Sequence, residues 1–186
     1  MMTEDRYPKA FAHLIEVEGG FVNDAVDRGG ATKYGITIPT LAQYMTGKTP
    51  TIDDIKALTL KDAERIYFVL FWEPMQLDSI GDDRVAFLLF DQAVHRGQVQ
   101  AIRLLQKTLN KNLQLTDLKE DGVIGPRTIS ILNDQIPELV GLWYLEECQL
   151  SYARICEYNQ TQLRFLRGWL SRTHKLQRMF WDKKEG

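Results

Sequence analysis

Apolar residues recur at helical spacing along most of this chain, and the one long break in that period is residues 21–37, where glycines take over. In residues 9–18, Phe11, Leu14, Ile15 and Glu18 fall at i, i+3, i+4 and i+7, one stripe of a helix. An acid therefore closes an apolar stripe, and Gly19-Gly20 ends the helix behind it. Residues 21–37 read as a loop or short hairpin, with Tyr34-Gly35-Ile36-Thr37 as the last extended piece. Pro39 opens a short helix through Met45. Thr59, with Asp62 three residues on, caps another that runs to about Trp72 before Pro74. Residues 83–95 form the most apolar helix, the expected centre of the core, and Gly97 breaks it. Residues 98–111 repeat the stripe through Ile102, Leu105, Gln106 and Leu109. In DGVIGPRT (121–128) Gly125 is expected to supply an unusual φ and Pro126 to start a short helix. A long helix runs from Pro137 to about Tyr158, and a last one covers 160–172 and beyond. Strand signals are scarce, so the pattern predicts a mainly α protein.

The totals narrow the class. The chain has 186 residues, enough for one domain with a real core or one domain plus a small helical annex. Apolar residues make up 44% and charged residues 26%, the balance of a soluble globular protein. No apolar run approaches the ~18 residues of a membrane span, so no stable membrane insertion is expected. The first residues carry acids and no apolar core segment, so no signal peptide is expected. A protein made in the cytoplasm and acting outside it would then need release or non-classical export. Net charge is −2 but uneven: residues 154–186 hold eight Lys/Arg against three acids, leaving the rest at −7. That basic end reads as a solvated helix face or as a contact for an anionic surface such as a cell-wall polymer or nucleic acid. Cys148 and Cys156 lie eight apart on one expected helix, about 12 Å at ~1.5 Å per residue, too far to bridge. They are expected to be reduced thiols. His13, His95 and His174 are scattered and do not suggest a metal site.

The chemistry gathers at the break. A carboxyl on an apolar stripe loses hydration, which favours its neutral form and raises its pKa. An acid still protonated near neutral pH is what a glycoside hydrolase needs to protonate a leaving oxygen. Glycines beside Glu18 keep side chains away and let a bulky polymer approach. A second carboxylate should stay wet and ionised, and Asp24 and Asp27 on the polar loop are the candidates. Such chemistry needs carboxylates and water and implies no metal or organic cofactor.

EGGFVNDAVDRGGATKYGIT (18–37) closely resembles the signature of glycoside hydrolase family 108, the N-acetylmuramidase and secretion-activator family. FWEPM (71–75), FDQAVHRG (90–97), LLQ (104–106) before DGVIGPRT (121–128), and FLRGWLSR (165–172) match in the family's order. The resemblance covers about residues 8–175. It implies a lysozyme-like helical fold with a small β-hairpin or loop region after the catalytic acid, which is Glu18. It divides the chain into a glycoside hydrolase region at 1–95 and a helical predicted peptidoglycan-binding region at 96–186, packed into the same globule. Arg28 stands where the family often has proline, and His95 where it often has asparagine. Phage-type lysozymes, a wider kinship, pair Glu, eight residues, Asp, five residues, Thr. Here Glu18 and Asp27 keep the first gap, while Thr32 follows after four residues. In that scheme Asp27 and Thr32 position and activate the attacking water.

Other residues read two ways. Tyr34 stacks on a sugar ring or packs at a hairpin. Trp72 and Trp169 are packing aromatics or sugar platforms. Asp91, in the most apolar helix, is a structural hub or a substrate contact. Arg172 pairs with an acid of the fold or meets a lactyl or peptide carboxylate of the substrate. Gln106 reads as a core hydrogen-bonder. The implied function is hydrolysis of the β-1,4 bond from N-acetylmuramic acid to N-acetylglucosamine in peptidoglycan, as a prophage endolysin or a wall-remodelling helper of secretion. The rivals are a non-catalytic peptidoglycan-binding or secretion-assisting protein, and a lytic transglycosylase leaving 1,6-anhydro ends. No nucleic-acid partner is expected, for want of a recognisable motif.

Overall fold

A computed structural model describes residues 6–18, 22–23 and 31–181, without the side chains of Val17, Glu18, Val22, Asn23 and Trp181. The chain is mainly α, with one small sheet directly after the first helix. It divides into two compact units, residues 1–78 and 79–186.

The first unit begins with α1 (Arg6–Glu18), whose stripe places Phe11 and Leu14 in the core. Next come β1 (Val22–Asn23), β2 (Ala31–Lys33) and β3 (Ile36–Thr37), an antiparallel sheet in chain order. Tyr34 and Gly35 are the two-residue turn between β2 and β3, not an extended piece. Both have positive φ, 54° and 74°, as the tight hairpin turn that matches strand twist requires. Thr37 then caps α2 (Ile38–Tyr44), accepting the Thr40 N–H at 3.2 Å.

Helix α3 (Ile52–Ala57) is an addition to the elements expected from the sequence. Its capping box, Thr51 with Asp54, repeats the Thr59/Asp62 box of α4 (Leu60–Tyr67). The same Thr-x-x-Asp signal marks both starts. The helical path after Tyr67 continues to Trp72 as expected, but as a π-turn over Phe68–Trp72. Tyr7 of α1 packs on both ends of that turn, 5.0 Å from the Phe68 ring and 5.2 Å from Trp72.

The second unit is helical. Helix α5 (Asp83–Arg96) buries Leu88, Leu89, Phe90 and Ala93 and packs against α6, α8 and α9. Gly97, at φ 86°, ends α5 and begins α6 (Gln98–Leu113) with no residue between. Pro126 starts α7 (Pro126–Asn133) and Pro137 starts α8 (Pro137–Tyr158), as expected. After a 3-10 turn, α9 (Leu163–Trp181) returns along α8. Gly141 lets the Phe180 ring lie so close that a Cβ there would meet it at 2.8 Å. Cys148 and Cys156 are buried free thiols, and burial pushes Cys148 up to about 12. Among the described residues, no helix is long and apolar enough to cross a membrane.

Candidate functional site

Glu18 is the last residue of α1, and the sheet follows it. Its helix is anchored upstream: the Tyr7 hydroxyl donates to the Glu64 carbonyl, and Arg6 donates to the Leu77 and Asp78 carbonyls at 3.3 Å each. The end of α1 therefore hangs from a helix tied at its start to α4 and to the last turn of the unit. Asp24 and Asp27 lie outside the described residues. Thr32 is the middle residue of the middle strand, opposite Val22 on one side and Thr37 on the other. It is half-buried.

Tyr34 is placed by its backbone. Its carbonyl accepts the Tyr67 hydroxyl at 3.0 Å, which ties the hairpin turn to the end of α4. The Lys33 ammonium lies 5.6 Å from the Tyr34 ring centre and donates to the Lys56 carbonyl at 2.7 Å. The hairpin is thus held to α3 and α4 by side-chain donors aimed at main-chain oxygens. Trp72 is 0% exposed, with its indole N–H donated to Asp78 at 3.0 Å. A fully buried indole leaves no face for a sugar ring; it holds the end of the π-turn.

The remaining candidates belong to the second unit. Asp91, only 3% exposed, takes two parallel hydrogen bonds from Arg172, Nε to Oδ1 at 2.8 Å and Nη2 to Oδ2 at 2.9 Å. The Gln92 amide donates to the same Oδ1 at 3.1 Å. This fork-on-fork pair joins α5 to α9 across 81 positions of chain. Of the two readings of Arg172, pairing with an acid of the fold describes its guanidinium.

Trp169 stacks with two other rings. Tyr152 stacks on it at 5.0 Å and Phe165 at 5.9 Å, both at 26°. Arg96 lies over the Tyr152 ring at 4.4 Å, and Arg164 over Phe165 at 4.6 Å. Arg96, Tyr152, Trp169, Phe165 and Arg164 are thus linked by successive ring and cation contacts. His95 sits at the edge of Tyr152. Burial, with the Arg172 and Arg96 charges, lowers its pKa to about 4, so it is neutral in neutral solution.

The turn at 121–128 is shaped by Gln106, which is buried as its stripe position predicts. Its amide donates to Asp121 and to the Val123 carbonyl at 2.9 and 3.0 Å, and its carbonyl accepts the Gly122 N–H at 2.9 Å. The left-handed residue is Gly122, at φ 79°; Gly125 is ordinary extended backbone at φ −133°. The chain turns where it meets α6: a Cβ on Gly122 would come within 2.8 Å of the Val99 carbonyl oxygen.

One charged cluster goes beyond the candidates drawn from sequence. Glu147, 2% exposed on α8, is met by Lys107 at 2.6 Å and Arg154 at 2.8 Å. Burial pushes this carboxyl up, but the two cations outweigh it and hold it below the ordinary glutamate value. The signal was an acid one helical turn from Tyr144 on a buried stripe, the same cue that singles out Glu18.

Residues 11–97 match the family described as Glycosyl hydrolase 108, and residues 100–174 match the family described as Predicted Peptidoglycan domain. The structure of Brucella abortus SagA is similar over 99% of this chain and 98% of its own, with a TM-score of 0.82 and 26% sequence identity. No curated protein matches the chain in sequence. The join between the two family regions falls at Gly97, so α5 lies in the hydrolase region of the sequence while packing on α6, α8 and α9.

Proposed function

We propose that this chain, whose residues 11–97 match the glycosyl hydrolase 108 family and residues 100–174 the predicted peptidoglycan domain, is a peptidoglycan-acting N-acetylmuramidase. It cleaves the β-1,4 bond between N-acetylmuramic acid and N-acetylglucosamine. Glu18 protonates the leaving oxygen, and Asp27 and Thr32 position and activate water on the opposite face of the sugar. Tyr34 and Asp24 border the bound strand. It works as an endolysin or as a wall-remodelling helper of secretion, and acts on the wall after release or non-classical export. The observation that carries this reading is the placement of Glu18: it ends a helix whose apolar stripe is buried, and Thr32 sits at the centre of the sheet that follows.

The matched peptidoglycan domain also suits a second reading, a wall-binding or secretion-assisting protein that does not cut. Digestion of purified sacculi by the wild type and by Glu18→Gln, with released muropeptides read by mass spectrometry, separates the two. Reducing N-acetylmuramic ends from the wild type, falling about 10²–10⁴-fold in Glu18→Gln, are expected of a general acid. Anhydro ends would make the reaction lytic transglycosylation. No release from either protein, with wall binding intact, would leave the second reading standing.

A further inference from the structure

Helix α9 carries five Arg/Lys and no acid along Leu163–Trp181. Arg172 is turned inward to Asp91, and Arg164 lies on the Phe165 ring. The other three, Arg167, Lys175 and Arg178, share an exposed stripe with His174, at spacings of eight and three residues. None of the three makes an ion pair among the described residues, in contrast to Lys107, Arg127 and Arg154, which each meet a carboxylate. Alongside them run Leu163, Leu166 and Leu170, and together they line a shallow groove of about 650 Å³. From residue 163 to 178 the stripe extends about 22 Å at ~1.5 Å per residue. Among the described residues, no carboxylate pairs with this row of cations beside its apolar strip. Such a row suits a polymer that bears carboxylates at intervals along an uncharged backbone.

We propose that this stripe of α9 is a docking surface for peptidoglycan, with Arg167, Lys175 and Arg178 meeting the carboxylates of muramic lactyl groups and stem peptides and the leucines lying against the uncharged glycan or peptide. This deepens the peptidoglycan-acting reading and rests on it. The choice of peptidoglycan over an anionic membrane follows from the matched peptidoglycan domain, which runs to residue 174 and so includes the first three turns of the stripe.

The test is co-sedimentation with purified sacculi in a Glu18→Gln background, so that the wall is not consumed. The variant is Arg167→Gln/Lys175→Gln/Arg178→Gln. The control is Lys9→Gln/Lys61→Gln/Lys119→Gln, three exposed cations off the stripe. The stripe variant is expected to bind at least tenfold more weakly at low salt and the control to bind as its parent. Sacculi whose carboxylates have been amidated should lose the parent protein to the same degree, and should not weaken the stripe variant further. Equal binding by stripe variant and parent would overturn the proposal, as would equal losses in stripe variant and control. Undiminished binding of the parent to amidated sacculi would also overturn it, by assigning the stripe to other anions of the wall. Binding lost to phosphatidylglycerol vesicles but kept to sacculi would overturn it in favour of a membrane face. The substituted arginines and lysines are exposed, and thermal melts would check that each variant is folded. Muropeptide release by the wild type reports on hydrolysis separately, so either idea can fail without the other.

Discussion

The two units secure their helices with different chemistry. In the first unit, the long-range polar ties run from a side-chain donor to a main-chain carbonyl: Arg6 to Leu77 and Asp78, Tyr7 to Glu64, Lys33 to Lys56, Tyr67 to Tyr34. Described acids there serve locally, as Asp54 and Asp62 do in capping boxes. In the second unit, carboxylates do long-range work: Asp91 with Arg172, and Glu147 with Lys107. A carbonyl acceptor does not titrate, whereas a carboxylate does. Among the described residues, then, these distant ties of the first unit are made without ion pairs, in the unit that carries Glu18. The second accepts dependence on charge in return for directional links between α5 and α9 and between α6 and α8.

The contrast can be broken at its strongest point. Asp91→Ala removes the carboxylate that the largely buried Arg172 guanidinium grips, and should cost about 3–5 kcal/mol in urea unfolding. A loss below about 1 kcal/mol would mean that the pair contributes no more than a surface bridge. Next in size is the turn that Gln106 shapes. Gly122→Ala combines a left-handed φ with contacts to Val99 under 3 Å and should cost about 2 kcal/mol, whereas Gly125→Ala, in open space, should cost a fraction of that.

The pH response sharpens the comparison further. His95 has a folded pKa of about 4 against the ordinary histidine value of 6.5, so between those values the unfolded chain binds a proton that the folded chain does not. Stability must therefore fall as pH drops from 6.5 toward 4, by about 2 kcal/mol once partial exposure is allowed for. Glu147 is also shifted down, below the ordinary glutamate value, so its contribution too is present at higher pH and lost as pH falls through that lowered folded pKa. Melting curves of wild type and His95→Asn should converge as pH falls through the upper window, and parallel curves would remove His95 as the titrating group. The smallest effect belongs to the first unit. Tyr67→Phe removes one neutral donor to the Tyr34 carbonyl and should cost about 1 kcal/mol, with no change in pH profile.

The sequence was most informative where a signal is local. Pro126 and Pro137 start helices, Gly97 stops one, and Thr59 with Asp62 caps another, because each acts through its own backbone and the next turn. Thr51 with Asp54 carried the same signal for α3. Apolar periodicity likewise placed Phe11, Leu14, Leu105 and Gln106 inside. At the candidate site, the order of Glu18, the glycines and Thr32 was legible as an acid at the end of a stripe followed by a hairpin.

Only the tertiary structure decided what depended on distant neighbours. That Asp91 would find Arg172 rests on how α5 and α9 pack, 81 positions apart, and no local rule selects that partner among the arginines of α9. Trp169 stacks with Tyr152 because α8 brings that ring to it. The left-handed glycine of the turn is Gly122 because α6, through Val99 and Gln106, leaves no room for a Cβ there, and that crowding belongs to the packed molecule. Residue types and their spacing set the helices and their ends, because hydrogen bonding and burial period act within a few residues. Which charges meet, and which, like Arg167, Lys175 and Arg178, are left facing outward, was settled by helix packing.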